Sequence, residues 1–124
     1  MINSTTLLLV FIGGGIGSIC RFSIGHWAAE FSDKIKFPVG TLIVNTLACI
    51  ILGFILFTYK EKIAANEWLK YLVAIGFCGG FSTFSTFSHD TVKLFQADLF
   101  LIGIFNILIS VILGIVILWL FIRA

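Results

Sequence analysis

Charged residues are scarce in this 124-residue chain: 11% of its side chains are Asp, Glu, Lys or Arg, whereas 60% are hydrophobic. Soluble domains carry about 25% charged residues. A chain of this size has too small an interior to remove so much apolar surface from water. The composition therefore excludes an ordinary soluble domain and indicates a protein whose solvent is the lipid bilayer.

Proline and cysteine are also sparse. Pro38 is the only proline, and it precedes an apolar run, where the start of a helix tolerates it. The three cysteines, Cys20, Cys49 and Cys78, lie inside apolar runs and lack the spacing of a metal site. We interpret them as small side chains in helix contacts and not as a disulfide framework. The first residues lack the basic segment and small-residue cleavage site of a signal peptide, so we expect no cleaved leader.

Four apolar stretches are each long enough to cross a bilayer, which takes about 20 helical residues. They cover residues 5–27, 41–59, 68–95 and 99–122. With their short connections they use nearly the whole chain. We therefore predict an all-α membrane protein with one transmembrane domain, residues 1–124, made of four transmembrane helices.

The third apolar stretch contains a segment that is poorly suited to a continuous helix in lipid. Residues 79–88 include two glycines and five hydroxyl side chains. Irregular backbone at membrane depth persists only where protein buries it or where it lines a cavity. We therefore predict a third helix that is broken in mid-membrane at an ion or substrate site. The unwound carbonyls suit a hard cation such as Na⁺, whereas the ring edges of Phe84 and Phe87 suit a small anion.

Polar side chains inside the other predicted spans each have two interpretations. Arg21 either pairs with a carbonyl or carboxylate, or attracts an anion at a pore mouth. Thr41 and Asn45 share one face of the second helix, where Asn45 either joins two helices or donates to a pore. Asn106 and Ser110 share a face of the fourth helix. That face is either a stripe that packs against another helix or a polar track along a pore. No acidic residue lies deep in a span, which favours an anion as the permeant species.

Lys and Arg residues in the loops and near the ends of the spans are almost evenly divided between the two sides of the membrane. With four spans, the N-terminus, the middle loop and the C-terminus share one side. That side holds four such residues and the other holds three: Lys60, Lys62, Lys70 and Arg123 against Lys34, Lys36 and Lys93. So small a difference gives little orientation under the positive-inside rule. A single orientation stays open, and so does insertion both ways, which allows an antiparallel dimer with a second copy.

The motifs at these positions resemble those of the Fluc family of small fluoride channels, also called CrcB, over essentially the whole chain. They are residues 14–17 leading to Arg21, residues 38–45 ending in Asn45, and, most specific, residues 76–88. The resemblance implies an antiparallel, dual-topology homodimer with two fluoride pores along the subunit interface. It implies passive, selective fluoride conduction across the cell's inner (plasma) membrane, which lets microbes expel the toxic ion.

The resemblance also implies roles for individual residues. The backbone carbonyls of Gly79 and Ser82 from both subunits would bind a central Na⁺ that is structural and not transported. The other implied roles belong to the anion pores: Phe84 and Phe87 match the paired pore phenylalanines, Asn45 the pore asparagine, Arg21 the vestibule arginine, and Asn106 and Ser110 the polar track of the fourth helix.

Hydroxyl groups complete the predicted anion pore. We expect Thr83, Ser85 and Thr86, together with Asn45, to replace part of the hydration shell of fluoride, and Thr41 lies on the same helix face as Asn45. The chain departs from the family pattern at four positions: Ser82 is commonly threonine, Ala48 glycine, Asp90 glutamate, and Asn106 tyrosine or another polar residue.

Other classes of protein fit the sequence less well. Small dual-topology, proton-coupled multidrug exporters share the size and charge balance, but they need a membrane-embedded carboxylate, and none lies deep in a span here. A noncatalytic assembly subunit would carry no flux, and a heterodimer of two homologous chains also stays open. No nucleophile, base and orienting group come together, so we expect no enzymatic activity. We expect no nucleic-acid partner.

Overall fold

The computed structural model describes residues 2–62 and 65–124, which contain helices and no strands. The helices are α1 (Ser4–Ile35), α2 (Val39–Thr58), a π-helix (Leu69–Phe77), α3 (Cys78–Phe81), α4 (Phe84–Gln96) and α5 (Phe100–Arg123). Four helical runs are long and apolar enough to cross a membrane: α1, α2, the run Leu69–Gln96 and α5. The prediction of an all-α fold with four membrane-spanning helices is confirmed.

The first helix is longer than the first apolar stretch. Asn3 caps its start, because its Oδ1 accepts hydrogen bonds from the Thr6 backbone N–H at 2.8 Å and from Thr6 Oγ1 at 2.9 Å. The helix continues past residue 27 and ends at Ile35, before Lys36 adopts a left-handed conformation with φ 58°. The two ends differ because an apolar run marks only the length in contact with lipid. Helix-favouring residues such as Ala28 continue the helical hydrogen bonding beyond it.

The π-helix is a local feature that the sequence did not predict. It spans Leu69–Phe77, and at its end the Cys78 N–H donates to the carbonyls of both Val73 and Ile75. Its residues are apolar and look like an ordinary helical run, so composition alone carries no sign of the wider turn. π-Helical turns are rare and occur frequently near functional sites. This one leads directly into the short helix α3.

The closest contact between helices runs along small residues of α1 and the π-helix. A Cβ atom at Gly13 would collide with the Leu72 carbonyl oxygen, and one at Gly17 with the Phe77 carbonyl oxygen. Gly76 lies on the same line, where a Cβ would be 3.1 Å from Gly13 Cα. Lipid offers no hydrophobic force between helices, so such close backbone packing supplies much of their attraction. It also holds α1 beside the start of α3.

Helices α4 and α5 form an antiparallel hairpin with a tight turn. The Leu99 N–H donates to the Leu94 carbonyl at 2.9 Å, and Asp98 adopts a left-handed φ of 60°. Gly103 leaves room for the ring of Phe95, since a Cβ there would lie 2.5 Å from the ring carbon Cε1. The hairpin therefore packs α4 and α5 side by side from the turn onward.

The buried apolar core is small and lies next to the junction between α3 and α4. Val44, Ala48 and Phe81 form its centre, at 1%, 4% and 3% exposure. Most large apolar side chains point outward, and no more than 28% of the most apolar window of any span is buried. Lipid or a second protein chain can cover that surface. Because lipid or another chain covers those apolar side chains, the interior of the protein can hold polar contacts.

Replacing Gly13 by alanine tests the close packing of α1. The added methyl group has no space beside the Leu72 backbone, and overpacking of this kind costs about 1–3 kcal/mol of unfolding free energy. Gly15→Ala is the matched control, because a Cβ at Gly15 meets no described atom within 4 Å. Unfolding in a denaturing detergent should show Gly13→Ala clearly less stable than Gly15→Ala. Equal stability of the two variants would contradict this packing.

Candidate functional site

The backbone between α3 and α4 is extended over two residues. Ser82 has φ −77° and ψ 156°, and Thr83 has φ −151° and ψ 119°. Ser82 closes α3 by donating both its N–H, at 3.0 Å, and its hydroxyl, at 2.8 Å, to the Cys78 carbonyl. Thr83 opens α4 as its N-cap, because its Oγ1 accepts the Thr86 N–H at 3.2 Å. The chain thus ends one helix and starts another inside one apolar run.

The side-chain amide of Asn45 holds this extended segment. Its Oδ1 accepts the Thr83 N–H at 2.7 Å, and its Nδ2 donates to the Thr83 carbonyl at 3.1 Å. A polar backbone group buried without a partner costs about 1–3 kcal/mol, and the amide satisfies one donor and one acceptor together. Asn45 therefore joins α2 to the junction, and its second amide hydrogen stays available for another acceptor.

Several carbonyls lose their helical donors at the junction, among them those of Gly79 and Ser82. In a continuous helix the Gly79 carbonyl would accept the Thr83 N–H, but that N–H donates to Asn45. The Ser82 carbonyl would accept the Thr86 N–H, but that N–H donates to Thr83 Oγ1. These two carbonyls are the ones that the sequence predicts as Na⁺ ligands. Oxygens freed in this way suit a hard cation.

Arg21 pairs with a backbone carbonyl and also lines a cavity. Its Nε donates to the Gly80 carbonyl at 3.1 Å, which matches one of its two predicted roles. The other guanidinium N–H groups stay available, since the side chain has several donors. We call the adjoining space of about 250 Å³ the Arg21 cavity; its lining residues are Arg21, Phe22, Gly25, His26, Gly40, Thr41, Val44, Thr83 and Thr86. Attraction of an anion by Arg21 stays a prediction.

A second cavity, which we call the phenylalanine cavity, lies on the other side of Thr83. It has a volume of about 280 Å³ and is lined by Asn45, Cys49, Ser82, Thr83, Phe84, Phe87, Ser110 and Val111. The ring centroids of Phe84 and Phe87 are 5.8 Å apart, with planes tilted by 43°. Phe84 is 80% exposed, so its ring faces away from its own chain. Thr83 lines both cavities and therefore stands between them.

Thr41 donates its hydroxyl hydrogen within the protein. Its Oγ1 donates to Asp90 Oδ2 at 2.6 Å, which ties the start of α2 to α4. A hydroxyl has one hydrogen, so in this arrangement Thr41 lines the Arg21 cavity without a free donor. Asp90 is not paired with a lysine: across residues 2–62 and 65–124 the one salt bridge joins Lys34 to Glu30 at 4.0 Å.

Asn106 and Ser110, predicted as one polar stripe, occupy different surroundings. Asn106 is only 2% exposed, and its Nδ2 donates to Thr91 Oγ1 at 3.0 Å. Ser110 donates to Asn106 Oδ1 at 3.4 Å and also lines the phenylalanine cavity. Asn106 lines neither of the two cavities that Thr83 separates. It fits the packing interpretation, whereas Ser110 is positioned for the polar track.

The remaining predicted hydroxyls lie close together around Thr83. Its Oγ1 is 3.1 Å from Thr86 Oγ1 and 3.3 Å from Ser85 Oγ. Thr86 lines the Arg21 cavity. Ser85 is exposed and is absent from the lining of both described cavities, so its place in an anion pore stays a prediction.

Residues 8–122 match the family model described as CrcB-like protein, Camphor Resistance (CrcB). The chain belongs to the CrcB family. It is 40% identical to a protein of Pyrococcus abyssi over 95% of this chain and 94% of the relative. It is 39% identical to one of Phocaeicola vulgatus over 89% of each, and 36% identical to one of Coxiella burnetii over 92% of each. All three relatives are named fluoride-specific ion channel FluC, an ion channel and not an enzyme.

In this CrcB-family chain most predicted site residues come together around the junction of α3 and α4. Thr91 was not predicted as a site residue. Its hydroxyl accepts from Asn106 Nδ2 and donates to the Phe87 carbonyl at 2.8 Å, so it links the two residues. Cys49 was also not predicted as a site residue, and it lines the phenylalanine cavity. The position of Thr91, four residues after Phe87, is the available signal, since Thr in a helix often bonds back to the carbonyl four residues earlier. No such signal marks Cys49.

Replacing Asn45 by leucine tests the amide that holds the junction. Leucine has a similar volume but leaves the Thr83 N–H without its side-chain acceptor, which should cost about 1–3 kcal/mol of unfolding free energy. Ser85→Ala is the control from the same segment, because it removes an exposed hydroxyl that bonds to Thr83 Oγ1 and leaves the acceptor of the Thr83 N–H in place. Amide hydrogen exchange at Thr83 should accelerate in Asn45→Leu and not in Ser85→Ala. Unchanged exchange in Asn45→Leu would count against the amide as the holding group.

Proposed function

We propose that this chain forms a fluoride-selective ion channel that exports fluoride passively across the cell's inner (plasma) membrane and lowers cytoplasmic fluoride. The observation that carries the proposal is the phenylalanine cavity, where two aromatic rings, an amide and three hydroxyl groups line one space that opens at the surface of an apolar protein. The names of the CrcB-family relatives support fluoride as the ion.

The Arg21 cavity provides the entrance in this mechanism. The Arg21 guanidinium, whose Nε donates to the Gly80 carbonyl, has further N–H groups free and gives the cavity a positive potential. This potential raises the local concentration of anions. Hydroxyl groups of Thr83 and Thr86 line the same space. Thr83 separates this cavity from the next, so an anion that moves between them passes its side chain.

The phenylalanine cavity provides the selective passage. Fluoride is small and strongly hydrated, so it enters only where donors already in place replace its water. The free amide hydrogen of Asn45 is such a donor. The Ser110 hydroxyl already donates to Asn106 Oδ1, so it serves the ion as a donor only by leaving that bond. The rings of Phe84 and Phe87 offer positively polarised edges and no competing acceptor. Chloride is larger and is rejected by this narrow lining. Export needs no further energy source, since a negative cell interior drives anions out with about 2.3 kcal/mol per charge per 100 mV.

A second, antiparallel copy completes the proposed pores. Phe84 is 80% exposed, and a Cβ at Gly79 would meet no described atom within 4 Å. Both residues therefore present functional groups to a surface that their own chain leaves open. The nearly equal numbers of Lys and Arg on the two sides are compatible with insertion in both orientations. These features support a dual-topology homodimer with the third helices broken in mid-membrane at its centre.

A structural Na⁺ fits the chemistry of the same open surface. The carbonyls of Gly79 and Ser82 have lost their helical donors to Asn45 and Thr83, and the pair from each of two copies would supply four oxygens to the ion. A bound cation there would offset the carbonyl dipoles that converge from the two chains. The cation would be held between the copies and would not be transported.

Fluoride efflux from liposomes that contain only the purified protein tests the channel. We expect rapid passive fluoride efflux, little chloride efflux, and loss of fluoride efflux in Phe84→Ile and Phe87→Ile with the dimer intact, because isoleucine has no polarised ring edge. A fluoride-selective electrode outside the vesicles gives the measurement. Leu108→Ile, at an exposed position of α5, is the control for a general effect of isoleucine.

Three results would contradict the proposal, the third of them from a separate assay of organic-cation transport. Absence of fluoride efflux from the unaltered protein would leave an assembly subunit as the better interpretation. Undiminished efflux in Phe84→Ile and Phe87→Ile would remove the role of the ring edges. Export of organic cations coupled to protons, with no fluoride efflux, would favour the multidrug exporter.

Replacing Gly79 by leucine tests the proposed Na⁺ site and the second copy together. A single chain has room for this side chain, so its own fold should persist. Two chains that meet at Gly79 do not have that room, and we expect the variant to be monomeric. Replacing Na⁺ by a large organic cation should also weaken the dimer of the unaltered protein. Mass photometry or crosslinking in detergent measures both, and a stable dimer in each case would argue against the site.

A further inference from the structure

Helices α4 and α5 meet through three successive contacts. Nearest the turn, the ring of Phe95 packs on Gly103. Next, Thr91 bonds to Asn106. Farthest from the turn, Phe87 and Ser110 line the same cavity. The contact residues recur every four positions on α4 and every three or four on α5, so each set lies on one helix face.

The middle contact is polar and buried. Thr91 is 5% exposed and Asn106 is 2% exposed. Thr91 donates its only hydroxyl hydrogen to the Phe87 carbonyl at 2.8 Å, so its oxygen is the acceptor for Asn106 Nδ2 at 3.0 Å. Ser110 donates to the other end of the same amide, Asn106 Oδ1, at 3.4 Å. Every hydrogen bond in this series is donated towards Phe87. The bonds therefore connect Ser110 to the Phe87 carbonyl through the buried pair.

We propose that Thr91 and Asn106 are positioning residues that fix the register of α5 against α4, and thereby hold Phe87 and Ser110 at the phenylalanine cavity. Neither residue touches the ion. The expected effect of this pair on fluoride flux rests on the proposed function, whereas its expected effect on the position of the Phe87 ring does not.

The apolar character of α5 explains why a polar pair is needed for this task. The helix has a mean hydropathy of 2.9 over its most apolar window. The tight turn and the Phe95 ring on Gly103 hold its end nearest the turn, and beyond Gly103 its aliphatic side chains supply no directional bond to α4. Lipid adds no preference, because it solvates such side chains as well as protein does. A single buried polar contact specifies register in packed helices, since every shifted arrangement leaves it without a partner. Asn106 and Thr91 supply that contact here.

The test combines a spectroscopic measurement with flux. 4-Fluorophenylalanine at position 87 reports the ring position by ¹⁹F NMR in nanodiscs. Two variants change Thr91: Thr91→Val keeps the shape and removes the hydroxyl, whereas Thr91→Ser keeps the hydroxyl. The others are the single variant Asn106→Leu and the double variant Thr91→Val/Asn106→Leu. The double variant removes both polar partners, so it leaves no buried donor unsatisfied and should recover stability. Ser88→Ala is the control, because its hydroxyl makes no hydrogen bond among the described residues.

Positioning and a merely structural role give different results. We expect one narrow Phe87 signal in the unaltered protein, in Thr91→Ser and in Ser88→Ala, and a shifted or multiple signal in Thr91→Val and in the double variant. Fluoride efflux should fall at least about tenfold in Thr91→Val and stay low in the double variant, since small misplacements of functional groups have large effects. Thr91→Ser should stay within about threefold of the unaltered protein.

Several outcomes would overturn the inference. A double variant that regains both stability and flux would make the pair structural only. A Phe87 signal that is unchanged in Thr91→Val would do the same, even if the double variant fails to fold. Loss of flux in Asn106→Leu with an unchanged signal would assign Asn106 to the ion path. If the unaltered protein carries no fluoride, the proposed function fails, and the Phe87 signal still decides whether the pair positions the ring.

Discussion

The two hydrogen bonds between the Asn45 amide and the Thr83 backbone are the interaction on which the rest of the site depends. An apolar run as long as Leu69–Gln96 would form one continuous helix in lipid, because every backbone group must find a partner. Asn45 supplies partners from α2 and so allows two residues to be extended. The small core of Val44, Ala48 and Phe81 adjoins this contact on α2 and α3.

The interruption separates donors from acceptors. Asn45 and the Thr83 hydroxyl take up backbone N–H groups that would otherwise pair with carbonyls. The carbonyls of Gly79 and Ser82 are thereby left without helical donors, which suits the proposed cation. The Asn45 amide and the rings of Phe84 and Phe87 line the phenylalanine cavity, which suits the proposed anion. One rearrangement of a few hydrogen bonds thus creates surroundings of opposite electrostatic preference within a few residues. Arg21 belongs to both, since it binds the Gly80 carbonyl and lines a cavity.

The sequence predicted the four spans because length and hydropathy decide them, and it predicted the site segment because glycines and hydroxyls contradict an apolar run. It did not predict the wide turn of the π-helix, whose residues are ordinary apolar ones. It also grouped Asn106 with Ser110, since a shared helix face is visible in spacing. Spacing cannot tell which end of a face meets a neighbouring helix and which meets a cavity; the α4–α5 hairpin decides that, by burying Asn106 against Thr91 and leaving Ser110 at the opening.

A chain with so little interior has to place its functional groups by close contacts between thin helices. Glycines bring the backbones of α1 and the π-helix together, and Gly103 lets the Phe95 ring rest on α5. These contacts set the distances between helices, and buried polar bonds add a directional preference for one register. Asn45 on Thr83 and Asn106 on Thr91 each supply a directional bond from a neighbouring helix to the third span. The half-buried amide of Asn45 and the buried amide of Asn106 thus tie α2 and α5 to the third span.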